Sequence, residues 1–154
     1  MGVETPPQKE KEMENNKKEE LTKVQRLSDG KCNLIGEDGK LLSEQWFEWV
    51  GDFYDDNDDF ALVGRENHEY NYIDKQGKIL SEEWFKWLDF FHDGLARVQR
   101  FDNSMNFINK KGKILSEEWF RYADYFDEYD LAVVERTNGE LCKIDKQGKI
   151  VVRK

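Results

Sequence analysis

The sequence predicts an all-β protein: tandem three-stranded antiparallel β-meanders, joined by short aromatic-rich connectors, forming an open solenoid or a partial propeller-like arc. Three observations carry that prediction. The stretch Ile79–Phe91 (ILSEEWFKWLDFF) recurs upstream as Leu41–Phe53 and downstream as Ile114–Phe126, with Trp46, Trp84 and Trp119 spaced 38 and 35 residues apart. In step with it, Gly39, Gly77, Gly112 and Gly148 sit in short charged turns at intervals of 38, 35 and 36. Between these signatures lie brief alternations of apolar and polar residues, the period of a half-buried strand. Self-similarity at such a spacing marks a repeat architecture, in which each unit completes its core on its neighbour.

The units follow in order, near residues 21–42, 60–80, 95–115 and 131–152. In the first, Leu21–Arg26 and Lys31–Gly36 read as strands around Ser28-Asp29-Gly30, and Lys40–Leu42 as a third strand after Glu37-Asp38-Gly39. The second has Phe60–Arg65, Tyr70–Asp74 and Lys78–Leu80; the third has Leu95–Arg100, Met105–Asn109 and Lys113–Leu115. Leu131–Arg136, Glu140–Asp145 and Lys149–Val152 complete the fourth. Within the units Val24, Val63, Val98 and Val134, with Ile35, Ile73, Ile108 and Ile144, mark the inner face. In Asp74-Lys75-Gln76-Gly77-Lys78 a three-residue hairpin calls for positive φ at Gly77. Asp74, Asn109 and Asp145, just before their turns, are read as turn caps that accept backbone N–H groups.

The connectors admit two readings. Trp84, Trp87, Leu88 and Phe91 fall at i, i+3, i+4 and i+7, with Ser81 as a cap, which fits a helical turn. An extended connector wedged between meanders would also bury Phe47, Phe85 and Phe120, which lie off that stripe. Packing between units explains the regular Trp46, Trp84 and Trp119 without a ligand, a ligand platform being the alternative.

Residues 1–20 hold six acids, four lysines, two prolines and no aromatic residue, and are expected to be a disordered tail. Residues 21–154 hold every Trp, Tyr and Phe and form the repeat domain. A net charge of −9 without a dominant basic run argues against direct nucleic-acid binding. No stretch approaches 18 apolar residues and no apolar leader precedes the repeats, so neither a membrane span nor a signal peptide is expected. Cys32 and Cys142 share no metal or redox spacing and read as thiols in a reducing compartment. Cytoplasm is the expected location, that of the host if the gene is viral.

With those residues in place a resemblance emerges. A phenylalanine, a small charged turn and an Ala-x-Val strand (Phe91–Val98) combine with an aromatic-Ile-Asp-Lys-x-Gly-Lys hairpin (Asn71–Lys78). Asn106–Lys113 and Lys143–Lys149 repeat the hairpin. This combination resembles the WG-repeat family, over about residues 21–154. The Trp-Gly pair that names the family is replaced by Tyr70-Asn71, Met105-Asn106 and Leu141-Cys142, and the tryptophans stand in the connectors, as in a divergent branch. The resemblance implies a bacterial or phage interaction scaffold rather than a catalyst, and it supplies no catalytic residue.

The chemistry of the chain agrees with that expectation. His68 and His92 occupy different repeat positions and read as surface histidines. Ser43, Ser81 and Ser116 recur at unit junctions as caps. Asp52, Asp55, Asp56, Asp58 and Asp59 could offer oxygens to calcium, but the loop lacks the glycine and final acid of an EF-hand and reads as a solvated insertion. No catalytic, cofactor or metal residue is assigned. The leading reading is a non-catalytic module that binds another protein. The alternative is an acidic inhibitor that imitates nucleic acid in a basic groove, through Asp55, Asp56, Asp58, Asp59, Asp124, Asp127, Glu128 and Asp130.

Overall fold

Residues 20–53 and 59–151 are described by a computed structural model. The charged tail up to residue 19, and Asp55, Asp56 and Asp58, lie outside the described residues. The fold is all-β, built of tandem antiparallel sheets that do not close into a barrel. The first sheet pairs β1 (Thr22–Gln25) with β2 (Cys32–Ile35). The second orders β3 (Trp49–Phe53), β4 (Phe60–Arg65) and β5 (Glu69–Asp74). The third orders β6 (Trp87–Leu88), β7 (Leu95–Gln99) and β8 (Met105–Asn109). The fourth contains β9 (Tyr122–Phe126), β10 (Ala132–Glu135), β11 (Leu141–Ile144) and β12 (Ile150–Val151).

The units differ from the sequence reading at both ends. The third strand of each meander shrinks to one bridge, Ile35 to Leu41, Ile73 to Ile79 and Ile108 to Ile114, and only the last keeps two residues as β12. At the front, each later unit gains a strand from the connector. Among the described residues no connector is helical. Phe47 exchanges both backbone hydrogen bonds with Cys32 of the preceding unit (2.6 and 2.9 Å), and two residues on, Trp49 pairs with Gly64 of the following one. Phe85 and Phe120 repeat the pattern on Tyr70 and Met105. One extended segment thus hydrogen-bonds to two sheets, which a helical turn could not do.

A buried asparagine fixes each connector in that state. Asn71 lies at the centre of β5, 1% exposed. Its Nδ2 donates to the carbonyls of Ser81 (2.8 Å) and Glu83 (3.3 Å), while Oδ1 accepts from the amides of Tyr72 (2.8 Å) and Ser81 (3.2 Å). Asn33 holds Ser43 and Gln45 in the same way, and Asn106 holds Ser116 and Glu118. All four hydrogen-bonding sites of the amide are used, so its burial costs little and the connector's polar backbone is paired.

Three hydrophobic clusters lie between the four sheets. Along β4 the side chains alternate: Ala61 and Val63 join Leu34, Phe47 and Val50 toward the first sheet, while Phe60 and Leu62 join Tyr72, Phe85 and Phe91 toward the third. The third and fourth sheets meet through Phe107, Phe120, Val134 and Ile144. The predicted inner-face residues Val63, Ile73, Val98, Ile108, Val134 and Ile144 are all buried. Val24 and Ile35 are only half-buried, because no sheet of the described chain precedes theirs. Their partial exposure is the repeat rule applied at its first unit.

The turn glycines carry a second constraint beyond the expected positive φ. At Gly77 (φ +85°) an added Cβ would stand 2.1 Å from the Leu42 carbonyl oxygen of the preceding connector. Gly112 meets Leu80 and Gly148 meets Leu115 alike, while Gly39 has nothing within 4 Å. The caps are as expected: Asp74 Oδ1 accepts the amides of Gln76 (2.9 Å) and Lys78 (2.8 Å), and Asn109 and Asp145 do the same in their turns.

Two outcomes follow for stability. Asn71→Ala strands two carbonyls and two amides in the interior, and urea unfolding should show a loss of about 2–4 kcal/mol. Gly39→Ala should cost about 1 kcal/mol through backbone conformation alone, whereas Gly77→Ala should cost clearly more, since a backbone carbonyl must also move. Equal losses at Gly39 and Gly77 would remove the close approach between units from the account.

Candidate functional site

Extended connectors place an aromatic residue at the free edge of each later sheet: Trp49, Trp87 and Tyr122, at 48%, 38% and 48% exposure. The helical reading would have turned them inward. On the strand they stand opposite Gly64, Gln99 and Glu135.

The second sheet makes the most of this position. Trp49, Gly64 and Tyr70 form one row across β3, β4 and β5. Both neighbouring glycines make room for rings: a Cβ on Gly51 would lie 2.8 Å from Trp49 Cη2, and one on Gly64 3.1 Å from Tyr70 Cε1. Trp87 and Leu88 approach from the third sheet, and Leu62 supplies the floor. The result is a cleft of about 570 Å³ between the second and third sheets, completed by Glu48, Arg65 and His68. Such a concave, mostly apolar recess with three aromatic walls and a few polar groups is the usual form of a binding site.

The next junction shows why this cleft is open. There Arg97 occupies the position of Leu62, and Gln99 that of Gly64. The Arg97 side chain is only 11% exposed and donates from Nε to Asp89 (3.1 Å) and from Nη1 to the Ala123 carbonyl (3.1 Å). Its guanidinium lies 3.8 Å from the Tyr125 ring centroid and 5.3 Å from that of Trp87. Burial opposes its charge, but the Asp89 hydrogen bond and carboxylate, with the electrostatic contributions of Tyr125 and Tyr122, outweigh burial and hold its pKa above the ordinary value. The protein's own arginine therefore occupies, in the third unit, the position that Leu62 leaves open in the second, and it borders a separate recess of about 360 Å³ shared with Asp89 and Tyr125.

The recurring tryptophans of the connectors have another task. Arg26, Arg65 and Arg100 lie over Trp46, Trp84 and Trp119 at 4.6, 4.2 and 3.7 Å. Glu83 and Glu118 grip Arg100 and Arg136 with two hydrogen bonds each, between 2.7 and 2.9 Å. Gln45 stands at the equivalent place in the first connector, and Arg65 turns to Glu69 instead. Trp84 and Trp119 also pack on Phe47 and Phe85 of the preceding unit and so cement the units, in line with the packing expectation.

Of the described acidic candidates, Asp59 directly precedes β4, Asp124 lies in β9, and Asp127, Glu128 and Asp130 lie between β9 and β10. Asp59 meets Lys110 of the third unit at 3.1 Å. Asp124 Oδ1 accepts the amide of Tyr125 (2.8 Å), and Asp127 Oδ1 caps its turn by accepting those of Tyr129 (2.8 Å) and Leu131 (3.1 Å). Glu128 is exposed, and Asp130, at φ +60°, meets Lys146 at 3.1 Å. His92 packs edge-on against Tyr125 at 5.8 Å, while His68 borders the cleft. Ser43, Ser81 and Ser116 each accept the amide two residues on, at 3.0–3.1 Å, as turn caps. Neither cysteine is in a disulfide. Among the described residues no group of three or more His, Cys, Asp or Glu is placed to hold a metal, and no helix is long and apolar enough to cross a membrane.

The sequence reading missed the cleft. Its signal was a pair of departures at one strand, FALVGR against LARVQR, in which a long polar side chain is shortened at two alternate positions.

Comparison with known proteins gives one family match: the WG containing repeat, over residues 72–103. No curated protein matches the chain. Among solved structures, the computationally designed Ika8 protein is similar over 89% of this chain and 46% of its own (13% identity, TM-score 0.41). BamB from Moraxella catarrhalis is similar over 88% and 45% (13% identity, TM-score 0.41). A protein of unknown function from Bacteroides caccae is similar over 79% and 53% (14% identity, TM-score 0.28). The chain thus spans about half the length of each solved chain.

Arg97 and Asp89 offer a direct check of this pairing at the junction. Arg97→Leu should cost about 2–3 kcal/mol in urea unfolding, much of it from a buried carboxylate left without its ion-pair partner. The further change Asp89→Asn should recover part of that loss. Strict additivity of the two losses would show that the pair is not coupled.

Proposed function

We propose that this protein is a non-catalytic β-repeat scaffold whose task is to bind another protein, with the Trp49–Trp87 cleft as its principal anchor. The observation that carries this reading is the cleft itself: two half-exposed tryptophans, held by two different sheets, around a recess of about 570 Å³. Aromatic residues dominate the energetics of protein interfaces when a partner side chain can be desolvated between them. Rigid, paired strands hold these rings in place before a partner arrives, which limits the entropy lost on association.

No observation favours imitation of nucleic acid. Asp59 and Asp130 contact lysines, and Asp127 is occupied with its turn. The family match over residues 72–103 supports the scaffold reading.

The test is affinity capture from source-cell or host lysate at about 0.15 and about 0.5 M salt, run in parallel with the wild type and Trp49→Ala. A single protein held by the wild type at both salts and lost by the folded variant is the expected result. A basic protein retained equally by both chains and released at high salt would instead move the function to the acidic loops.

A further inference from the structure

We propose that the Trp49–Trp87 cleft takes the guanidinium group of an arginine presented by the partner. This rests on the protein-binding reading above and names the chemistry of the anchor. The template lies in the same chain. At the next junction the protein buries its own Arg97 between Trp87 and Tyr125, beside a carboxylate and a backbone carbonyl. In the second unit the two residues that would fill this space are Leu62 and Gly64, and the space is open. The edge aromatic residue is kept: Trp49 stands where Trp87 stands. Tyr70, at the end of the row, adds an aromatic wall where the third unit has Met105.

The charges suit a cation. Gly51 replaces Asp89, so the carboxylate at the cleft comes from Glu48 on its wall. Arg65, the cation nearby, is paired with Glu69 and lies 4.2 Å from the Trp84 ring, so its charge is already met. Glu48 thus supplies the carboxylate of the lining, in a chain of net charge −9. A planar guanidinium stacks on indole and donates in its own plane, whereas the compact, strongly hydrated lysine ammonium gains less from the same walls. An aliphatic side chain would use the rings but leave Glu48 without a partner.

The test uses small probes, so it does not require the partner. The indole N–H signals of Trp49 and Trp87 are followed by NMR while the full chain is titrated with N-acetyl-arginine amide, N-acetyl-lysine amide or N-acetyl-leucine amide. The arginine probe should move both signals with a millimolar Kd, at least about fivefold below that of the lysine probe. Leu62→Arg, which supplies the group from within, should abolish the titration in the folded chain. If that variant does not fold, Trp49→Ala serves instead, and Glu48→Gln should weaken binding in either case. Equal or tighter binding of the leucine probe would overturn the proposal, as would undiminished arginine binding by folded Leu62→Arg. No response to arginine at about 50 mM would also overturn it. A partner captured through the cleft without arginine binding would keep the scaffold reading and reject this one.

Discussion

The rest of this structure depends on three buried amides. Asn33, Asn71 and Asn106 each take two carbonyls and two N–H groups from their surroundings, and most of those belong to the connector that leads to the next sheet. A connector crossing between packed sheets must leave backbone polar groups in a dry place, and a short side-chain amide is well matched to receive them. Once the carbonyls of residues 81 and 83 are fixed, Phe85 is delivered to Tyr70 and Trp87 to Gln99. Burial of Phe85 to 0% exposure then adds a hydrophobic gain of about 3 kcal/mol relative to leaving it in water. The amide does not drive folding by itself. It selects the one connector path along which the aromatic residues can be buried.

The same device explains where the chain breaks its own rule. The fourth unit has Cys142 at the asparagine position. Gly39, in the first unit, lacks the crowding that Gly77, Gly112 and Gly148 meet, because no described sheet precedes it. Val24 and Ile35 are half-buried for the same reason. Residues that look equivalent in a repeat are therefore equivalent only where a neighbouring unit exists, and their environments report the position of each unit in the stack.

Much of this architecture was legible in the sequence, because it depends on local periodicity. The meanders, the turn caps at Asp74, Asn109 and Asp145, and the inner faces led by Val63 and Ile73 follow from alternation and turn chemistry. The connectors were ambiguous because Trp84, Trp87, Leu88 and Phe91 satisfy a helical period, while the choice against it is made by Asn71, ten residues upstream of Ser81. No local pattern reveals a clamp of that reach. The recurrence of asparagine at three equivalent positions did carry the signal, yet it read as a departure from a Trp-Gly pair rather than as a device. The cleft was hidden for a related reason. It is made by what Leu62 and Gly64 lack relative to Arg97 and Gln99, and its second wall comes from a different sheet. Absent side chains are visible only once the units are superposed in register.

The most direct test of this account is hydrogen exchange of the asparagine side-chain amides, read by NMR in the wild-type chain. If the clamps hold the connectors, the Nδ2 protons of Asn33, Asn71 and Asn106 will exchange on the slow timescale of the core strand amides. Those of the turn residues Asn67 and Asn138 will exchange far faster. Fast exchange at all three clamp positions, with β5 and β8 still protected, would show that the connectors are held by their aromatic residues alone and would contradict the account.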